Sequence, residues 1–285
     1  MSFQIITDSC CDLNKSMLQE LDIAVAPLGV ELSGRFFEDG QMPHKEFYDG
    51  MRAGMISTTS AVNPEGWRKI MEPVLMAQQD LLVLAFSSAL STTYQSAVIA
   101  AEELMEQYPQ RKILVTDTLC ASAGQGLLCW HACRQAAEGR SLEEVHSWVR
   151  EHAPQMAHWV TVDDLKYLKR GGRISAATAV MGTMLSIKPI IHVDEEGRLE
   201  SVEKARGRKA ALNLLVEKLG QTITEEGKEL VFLSHADCLE DARYVADTAK
   251  TLHGVKEVRI SDIGPVIGSH TGPGCVALCF LATKR

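Results

Sequence analysis

The chain has 285 residues, enough for a large hydrophobic core and for two domains that share a cleft. Hydrophobic residues make up 46% of the sequence and the mean hydropathy is −0.03, as in ordinary soluble globular proteins. The formal net charge of −8 argues against a nucleic-acid partner, because lysine and arginine dominate binding to a phosphate backbone.

The first half of the chain alternates short apolar runs with helical patterns, which is typical of an α/β protein. Strands are predicted from FQIITD (3–8), IAVAPLGVEL (23–32), DLLVLAF (80–86) and KILVTD (112–117). The helices that follow them are predicted from Asn63 as an N-cap, from the run after Ser91, and from the capping-box spacing of Ser141 and Glu144. We expect a largely parallel sheet with helices on both faces.

The pattern changes near residue 155. A strand at AHWVTV (157–162) and a short helix ended by Gly171 and Gly172 are followed by a predicted hairpin, PIIHVDEEGRLESVEKA (189–205). Further strands are predicted at 229–236, 257–263 and 275–282, with helices between them. We therefore predict an N-terminal α/β domain at 1–155 and a C-terminal one at 156–285. The second domain should have a mixed sheet, and the ligand cleft should lie between or beside the two domains.

Nothing in the sequence indicates a membrane or secreted protein. The N-terminus MSFQIITDSC lacks a basic region and reaches Asp8 early, so we expect no signal peptide, no stable membrane insertion and a cytoplasmic location. The uncharged run ISAATAVMGTMLSI (174–187) is too short to span a bilayer. Its small residues would either leave room for a ligand along a helix face or form a packed helix contact.

The eight cysteines form no CxxC motif and lie near no histidine pair at zinc-finger spacing. We expect them to behave as small buried hydrophobic residues, and we expect no metal and no cofactor. A redox or metal module remains an alternative.

Four polar segments contain more hydroxyl groups, glycines or charges than a connection between two elements requires. They are the hydroxyl-rich runs ISTTSAVNP (56–64) and FSSALSTTYQS (86–96), YLKRGGRIS (167–175), and the loop GPVIGSHTGPG (264–274). Taken singly, the serines and threonines are typical helix caps, Arg173 a solvated residue after a helix, and His270 a turn residue. Together they predict a cleft with many hydroxyl donors and few cations. Such a cleft suits one carboxylate better than a polyphosphate, which usually binds a P-loop or GxGxxG motif that this chain lacks.

A hydrolase or acyl transferase is the enzymatic alternative. His270 with Ser88 or Ser91 would imitate a base and nucleophile, oriented by Asp8, Asp117 or Asp164. However, the chain has no GxSxG elbow and no HExxH metal helix. Asp8 and Asp117 each end a strand beside a hydroxyl residue, which favours side chains that form turns.

These segments together resemble the DegV family. The matching pieces are TDSCCDL (7–13), TTS (58–60), SSALSTTYQSA (87–97), DTLCASAGQG (117–126), DDLKYLKRGGRIS (163–175), IKPII (187–191), SHAD (234–237) and GPVIGSHTGPG (264–274). The resemblance implies a two-domain α/β protein that buries one long-chain fatty acid and has no catalytic apparatus. It also implies that the chain serves, as some members do, as the acyl-carrying subunit for a separate fatty-acid kinase.

The resemblance assigns a set of residues to the fatty-acid carboxylate. They are Thr59, Ser60, Ser91, Arg173, His270 and Thr271. The chain departs from the family pattern beside them: Ala61 and Val62 replace the usual Gln-Pro, Thr92 replaces a glycine, and Cys275 stands where a small residue is common. Thr92 would either crowd the carboxylate or add a donor.

Overall fold

The computed structural model describes residues 3–174 and 186–285. Its strands are β1 (Phe3–Asp8), β2 (Ala24–Ala26), β3 (Gly29–Leu32), β4 (Arg35–Glu38), β5 (Ser57–Ser60), β6 (Asp80–Ala85), β7 (Ile113–Asp117), β8 (Met156–Thr161), β9 (Ile187–Val193), β10 (Leu199–Arg206), β11 (Leu230–His235), β12 (Glu257–Asp262) and β13 (Val276–Leu281). Its α-helices are α1 (Lys15–Leu21), α2 (His44–Arg52), α3 (Pro64–Met76), α4 (Thr93–Gln107), α5 (Ser122–Ala137), α6 (Leu142–His152), α7 (Lys166–Arg170), α8 (Arg208–Thr222), α9 (Leu239–His253) and α10 (Pro265–Thr271). Most of the run at 174–187 falls outside the described residues, so the two alternatives for its small side chains stay predictions.

The first sheet is parallel, with the strand order β2-β1-β6-β7. In β6, Leu81 and Val83 pack in one core with residues of α3 and α4, whereas Leu82 and Leu84 pack in another with residues of α5 and α6. The apolar run of this strand is therefore continuous because both of its faces are buried. The predicted parallel sheet with helices on both faces is confirmed.

The second sheet is mixed, with the order β10-β9-β8-β13-β11-β12. The pair β11–β12 is parallel and the other pairs are antiparallel. Helices α8 and α9 cover one face, where Leu215 and Val245 share a core with Val231 and Leu278. The predicted mixed sheet and its hairpin β9–β10 are confirmed.

A small third sheet, β4-β3-β5, was not predicted. The segment 23–32, predicted as one strand, is divided at Pro27 into β2 and β3, which belong to different sheets. The predicted loop at 57–60 is the strand β5, which pairs with β3. Burial alternates along β5, since Ser57 is buried and Thr58 is exposed. Because all four side chains carry hydroxyl groups, the sequence shows no alternation of apolar and polar residues from which a strand could be predicted.

The segment 264–274, predicted as a permissive loop, is mostly the helix α10. Pro265 occupies the first turn, where its missing N–H has no cost. Gly272 ends the helix with a φ of +76°, a conformation that favours glycine. Gly264 and Pro265 therefore mark the start of a helix and Gly272 its end, and the loop prediction was wrong.

The strands of the first and third sheets lie before residue 118, and those of the second lie after residue 155. Helix α5 contacts strands of both the first and second sheets. The division into domains at residue 155 remains a prediction.

Candidate ligand-binding site

A cavity of about 520 Å³ lies where the three sheets meet α10. All six residues predicted for the head group line it, namely Thr59, Ser60, Ser91, Arg173, His270 and Thr271. Its lining combines residues 28–122 with residues 158–277, so both halves of the chain contribute.

The floor of the cavity is one face of the second sheet. The register places Ala277 opposite Val160, and Val160 opposite Ile191, in one row across three strands. Val193 and Leu199 pair in a neighbouring row. Because alternate residues of a strand point to the same face, this stretch of the cavity is lined by contiguous apolar side chains.

Strand β5 and helix α10 bring two of the predicted residues into direct contact. Ser57 and Thr59 lie on the same face of β5, and that face meets α10. The hydroxyl oxygens of Ser57 and Ser269 lie 2.5 Å apart. At the next residue of α10, Thr59 Oγ1 and His270 Nε2 are 2.8 Å apart, within hydrogen-bond distance.

The imidazole of His270 is held neutral. Burial, followed by the nearby charges of Arg173 and Arg170, lowers the pKa of His270 to about 4. Its Nδ1 is buried and has no hydrogen-bond partner among the residues that the structure describes. Neutral His270 can therefore donate only one hydrogen bond, from whichever ring nitrogen carries the proton.

Arg173 connects the GG segment to the second hydroxyl loop. Its Nε donates to the carbonyl oxygen of Leu90 at 3.1 Å, and its Nη1 donates to the carbonyl oxygen of Gly171 at 2.6 Å. Within residues 3–174 and 186–285, no carboxylate lies at ion-pair distance from Arg173. The guanidinium is half-buried, and no acidic side chain in these ranges neutralises it.

The loop that carries Ser91 is fixed by two aspartates at strand ends. Asp8 Oδ2 accepts a hydrogen bond from Phe86 N at 2.7 Å, and Asp117 Oδ1 accepts one from Ser88 N at 3.1 Å. The hydroxyl of Ser91 lies 2.8 Å from that of Thr93, in the first turn of α4. The loop thus presents its hydroxyl groups at the carboxyl end of β6, where ligands of α/β sheets commonly bind.

Two predicted residues line the cavity in other ways. Thr271 Oγ1 donates to the carbonyl oxygen of Ile267 in its own helix at 3.2 Å. Ser60 follows Thr59 on β5 and is exposed, and its Oγ packs against Gly29. Neither of them forms a hydrogen bond with Thr59, Ser91, Arg173 or His270 in the described part of the chain.

The sequence did not predict the polar residues at the inner end of the cavity. His158 Nδ1 lies 2.8 Å from the carbonyl oxygen of Met156, and its Nε2 accepts from Ala121 N at 3.3 Å. Burial, followed by the charge of Arg285, lowers the pKa of His158 to about 3. Ser122 is hydrogen-bonded to Asp12 and Ser234. The alternation of His158 with Val160 on β8 is the one sequence signal that would have placed this histidine in the cavity.

Asp8 and Asp117 form turns, as predicted, and so does Asp164, the third aspartate considered as a catalytic acid. Asp8 accepts from the backbone N–H of Cys10, Asp117 from that of Leu119, and Asp164 from that of Lys166. Each bond joins a side chain to the residue two positions later, which defines an Asx turn.

The described residues, 3–174 and 186–285, contain neither a metal-binding cluster nor a membrane-spanning helix. No group of three histidine, cysteine or acidic side chains there is arranged to hold a metal ion. None of the helices in these ranges is long and apolar enough to cross a membrane. The eight cysteines are unpaired, and burial raises the pKa of Cys275, which lines the cavity, so that it is a neutral thiol.

Comparison with known proteins gives a consistent result. The family described as "Uncharacterised protein, DegV family" matches residues 2–283. A DegV domain-containing protein of Clostridium perfringens is 42% identical over 99% of this chain and 98% of its own length. A DegV lipid binding protein from Thermotoga maritima superposes with a TM-score of 0.89 at 31% identity, covering 100% of both chains.

A structure described as fatty acid binding of a DegV family protein from Thermus thermophilus has a TM-score of 0.87 and 31% identity. It covers 99% of this chain and 100% of its own. The six lining residues predicted for the head group belong to the segments that carried the resemblance, and the family match extends over almost the entire sequence. The chain is a member of the DegV family.

Proposed function

We propose that this chain binds one long-chain fatty acid in the cavity. The carboxylate lies among Thr59, Ser91, Arg173 and His270, and the acyl chain lies on the apolar face of the second sheet. Ser60 and Thr271 border the head group without bonding to it directly. The observation that carries the proposal is the half-buried Arg173, beside a cavity with an apolar floor and with no acidic partner among the described residues.

The energetics of such a complex divide between its two ends. Each buried methylene contributes about 0.8 kcal/mol, so the acyl chain provides most of the affinity. Charge-assisted hydrogen bonds to the carboxylate contribute about 1.5–3 kcal/mol each and offset the cost of removing its charge from water. Support also comes from the relatives described as lipid binding and fatty acid binding.

Mass spectrometry of the purified protein tests this proposal. The native protein should carry a single bound mass that extracts into organic solvent as a free fatty acid. A ligand-free protein that also takes up no added fatty acid would contradict the proposal.

We further propose, from the family resemblance, that the chain presents its acyl group to a separate fatty-acid kinase and works in the cytoplasm. The kinase would transfer the γ-phosphoryl group of ATP to the carboxylate and leave ADP. Loaded protein, kinase and ATP should together yield an acyl phosphate that hydroxylamine traps. Failure to form this product from loaded protein and an active kinase would refute the carrier role.

The geometry argues against the hydrolase alternative. Ser91 is hydrogen-bonded to Thr93 and His270 to Thr59, and no hydrogen bond joins Ser91 to His270 in the described residues. His270 Nδ1 has no acidic side chain to orient it there. A burst of acyl-enzyme from a fatty ester, abolished by Ser91→Ala, would favour the hydrolase instead.

A further inference from the structure

The two glycines before Arg173 have different structural roles. Gly172 has a φ of +68°, which explains why glycine stands there, and a Cβ at that position would meet no atom within 4 Å. Gly171 has a φ of −73° and a ψ of −11°, ordinary right-handed values that any residue adopts. The backbone therefore gives no reason for glycine at position 171.

The reason for glycine at position 171 is the lack of space for a side chain. A Cβ built on Gly171 would overlap with His270 Nδ1 and lie 3.0 Å from Cε1 and 3.2 Å from Cγ of the same ring. The edge of the imidazole that carries the unpartnered Nδ1 thus rests against the α-carbon of Gly171. The opposite edge, with Nε2, faces Thr59 at 2.8 Å.

The backbone of the same residue also holds the cation of the head-group site. The carbonyl oxygen of Gly171 accepts the 2.6 Å hydrogen bond from Arg173 Nη1. Its N–H donates to the carbonyl oxygen of Tyr167 at 2.9 Å, which fixes Gly171 to the end of α7. One residue therefore contacts both His270 and Arg173, through its α-carbon and its carbonyl oxygen respectively.

We propose that Gly171 is a positioning residue for the carboxylate site. Its missing side chain sets the place of the His270 imidazole, so that Nε2 is directed towards Thr59 and the cavity, while its carbonyl oxygen orients the Arg173 guanidinium. This inference rests on the proposed fatty-acid binding for its effect on affinity. Its effect on the position of the His270 ring is independent of any ligand.

The chain offers a matched control. A Cβ on Gly220 in α8 would likewise overlap with a histidine ring, that of His253, and would lie 2.6 Å from both ring nitrogens. Neither residue lines the cavity. Gly220→Ala thus introduces the same kind of clash, between a new methyl group and an imidazole, far from the head group.

The test measures palmitic acid affinity by calorimetry for the wild type, Gly171→Ala, Gly220→Ala, His270→Ala and the double variant Gly171→Ala/His270→Ala. We expect Gly171→Ala to lose about tenfold in affinity, the effect of forcing a side chain off its rotamer, and Gly220→Ala to bind as the wild type does. In the His270→Ala background, Gly171→Ala should cost little more, because the clash has been removed. An unchanged affinity for Gly171→Ala, or the same loss with and without His270, would overturn the inference.

Two further readouts separate the possible failures. If Gly171→Ala does not fold, the double variant should regain the fold, and a double variant that also fails to fold would count against the inference. NMR of the imidazole in ligand-free protein should show a displaced His270 resonance in Gly171→Ala but not in Gly220→Ala. If the wild type takes up no palmitic acid, the proposed function fails. The His270 resonance then tests by itself whether Gly171 positions the imidazole.

Discussion

The two ends of the cavity contain similar polar residues but differ in how those residues are bonded. At the inner end, both ring nitrogens of His158 and the hydroxyl of Ser122 have protein partners. At the outer end, His270 Nε2 meets only the rotatable hydroxyl of Thr59, and Arg173 has no acidic neighbour among the described residues. Both histidines are neutral, because burial lowers the pKa of each.

This difference indicates the direction in which an amphipathic ligand lies. A buried polar group that already has partners gains little from a ligand, whereas a half-buried charge without a counter-ion gains from an anionic one. The carboxylate is therefore expected beside Arg173 and His270, and the end of the acyl chain towards His158. The following predictions test this contrast, in decreasing order of expected effect.

Arg173→Ala should have the largest effect on binding. We expect about a hundredfold loss of fatty-acid affinity, since a charge-assisted hydrogen bond to a buried carboxylate contributes about 1.5–3 kcal/mol. The melting temperature should change little, because the residue is half-buried and bonds only to backbone carbonyl groups in the described chain.

Arg170→Ala is the matched control for Arg173→Ala, because Arg170 is exposed on α7 three residues earlier. It should bind nearly as the wild type does. Equal losses in the two variants would indicate a general effect of positive charge and not a contact with the carboxylate.

His158→Ala should show the opposite pattern. Removing this ring leaves the N–H of Ala121 and the carbonyl group of Met156 without their partner, so the free energy of unfolding should fall by about 2 kcal/mol. The affinity for fatty acid should change by a smaller free energy, because no polar contact to the carboxylate is lost. Denaturant unfolding and calorimetry measure the two quantities. An affinity loss that exceeds the stability loss would contradict the assignment of the inner end.

The pH dependence of the unfolding free energy should reveal the lowered pKa of His270. Its pKa is about 4 in the folded protein and near 6.5 in the unfolded chain, so the unfolded state binds more protons between these values. Wild-type stability should therefore lose up to about 1.4 kcal/mol per pH unit through His270 as the pH falls from 6.5 towards 4. His270→Gln does not undergo this loss. As the pH falls, the unfolding free energy of the variant should therefore rise relative to that of the wild type. A difference that is constant with pH would contradict a neutral, buried His270.

The smallest expected effect is a difference in affinity between variants of the two threonines of the site. Thr59→Val should lower affinity by about fivefold, because its hydroxyl belongs to the pair with His270 and a neutral hydrogen bond contributes about 1 kcal/mol. Thr271→Val should change affinity by less than about twofold, since its hydroxyl bonds to Ile267 within α10. The same loss in both variants would contradict this distinction between the two threonines.

The two large sheets could be predicted because their strands are short apolar runs separated by helical patterns. The third sheet could not, since β5 consists of hydroxyl residues whose period-two burial has no contrast in hydrophobicity. Helix α10 was missed for a related reason. The prolines and glycines of this segment were interpreted as loop residues, although Gly264, Pro265 and Gly272 lie where the helix starts and stops.

The outer end of the site could be predicted from the sequence, because hydroxyl groups, an arginine and a histidine occur together in connecting segments. The inner end was not, because His158 lies inside an ordinary strand, and its place in the cavity depends on the register of β8 with β13. The role of Gly171 was hidden as well. A glycine pair at a helix end is usually explained by backbone conformation, and only the contact with His270 distinguishes its first member.

The most direct test of the central claim compares palmitic acid with its methyl ester in the wild-type protein. The two ligands share the acyl chain and differ in the charge of the head group. We predict that the acid binds at least about tenfold more tightly, because only the carboxylate forms charge-assisted hydrogen bonds with Arg173 and its neighbours. Equal affinities would show that Arg173 and its neighbours at the outer end do not hold the carboxylate.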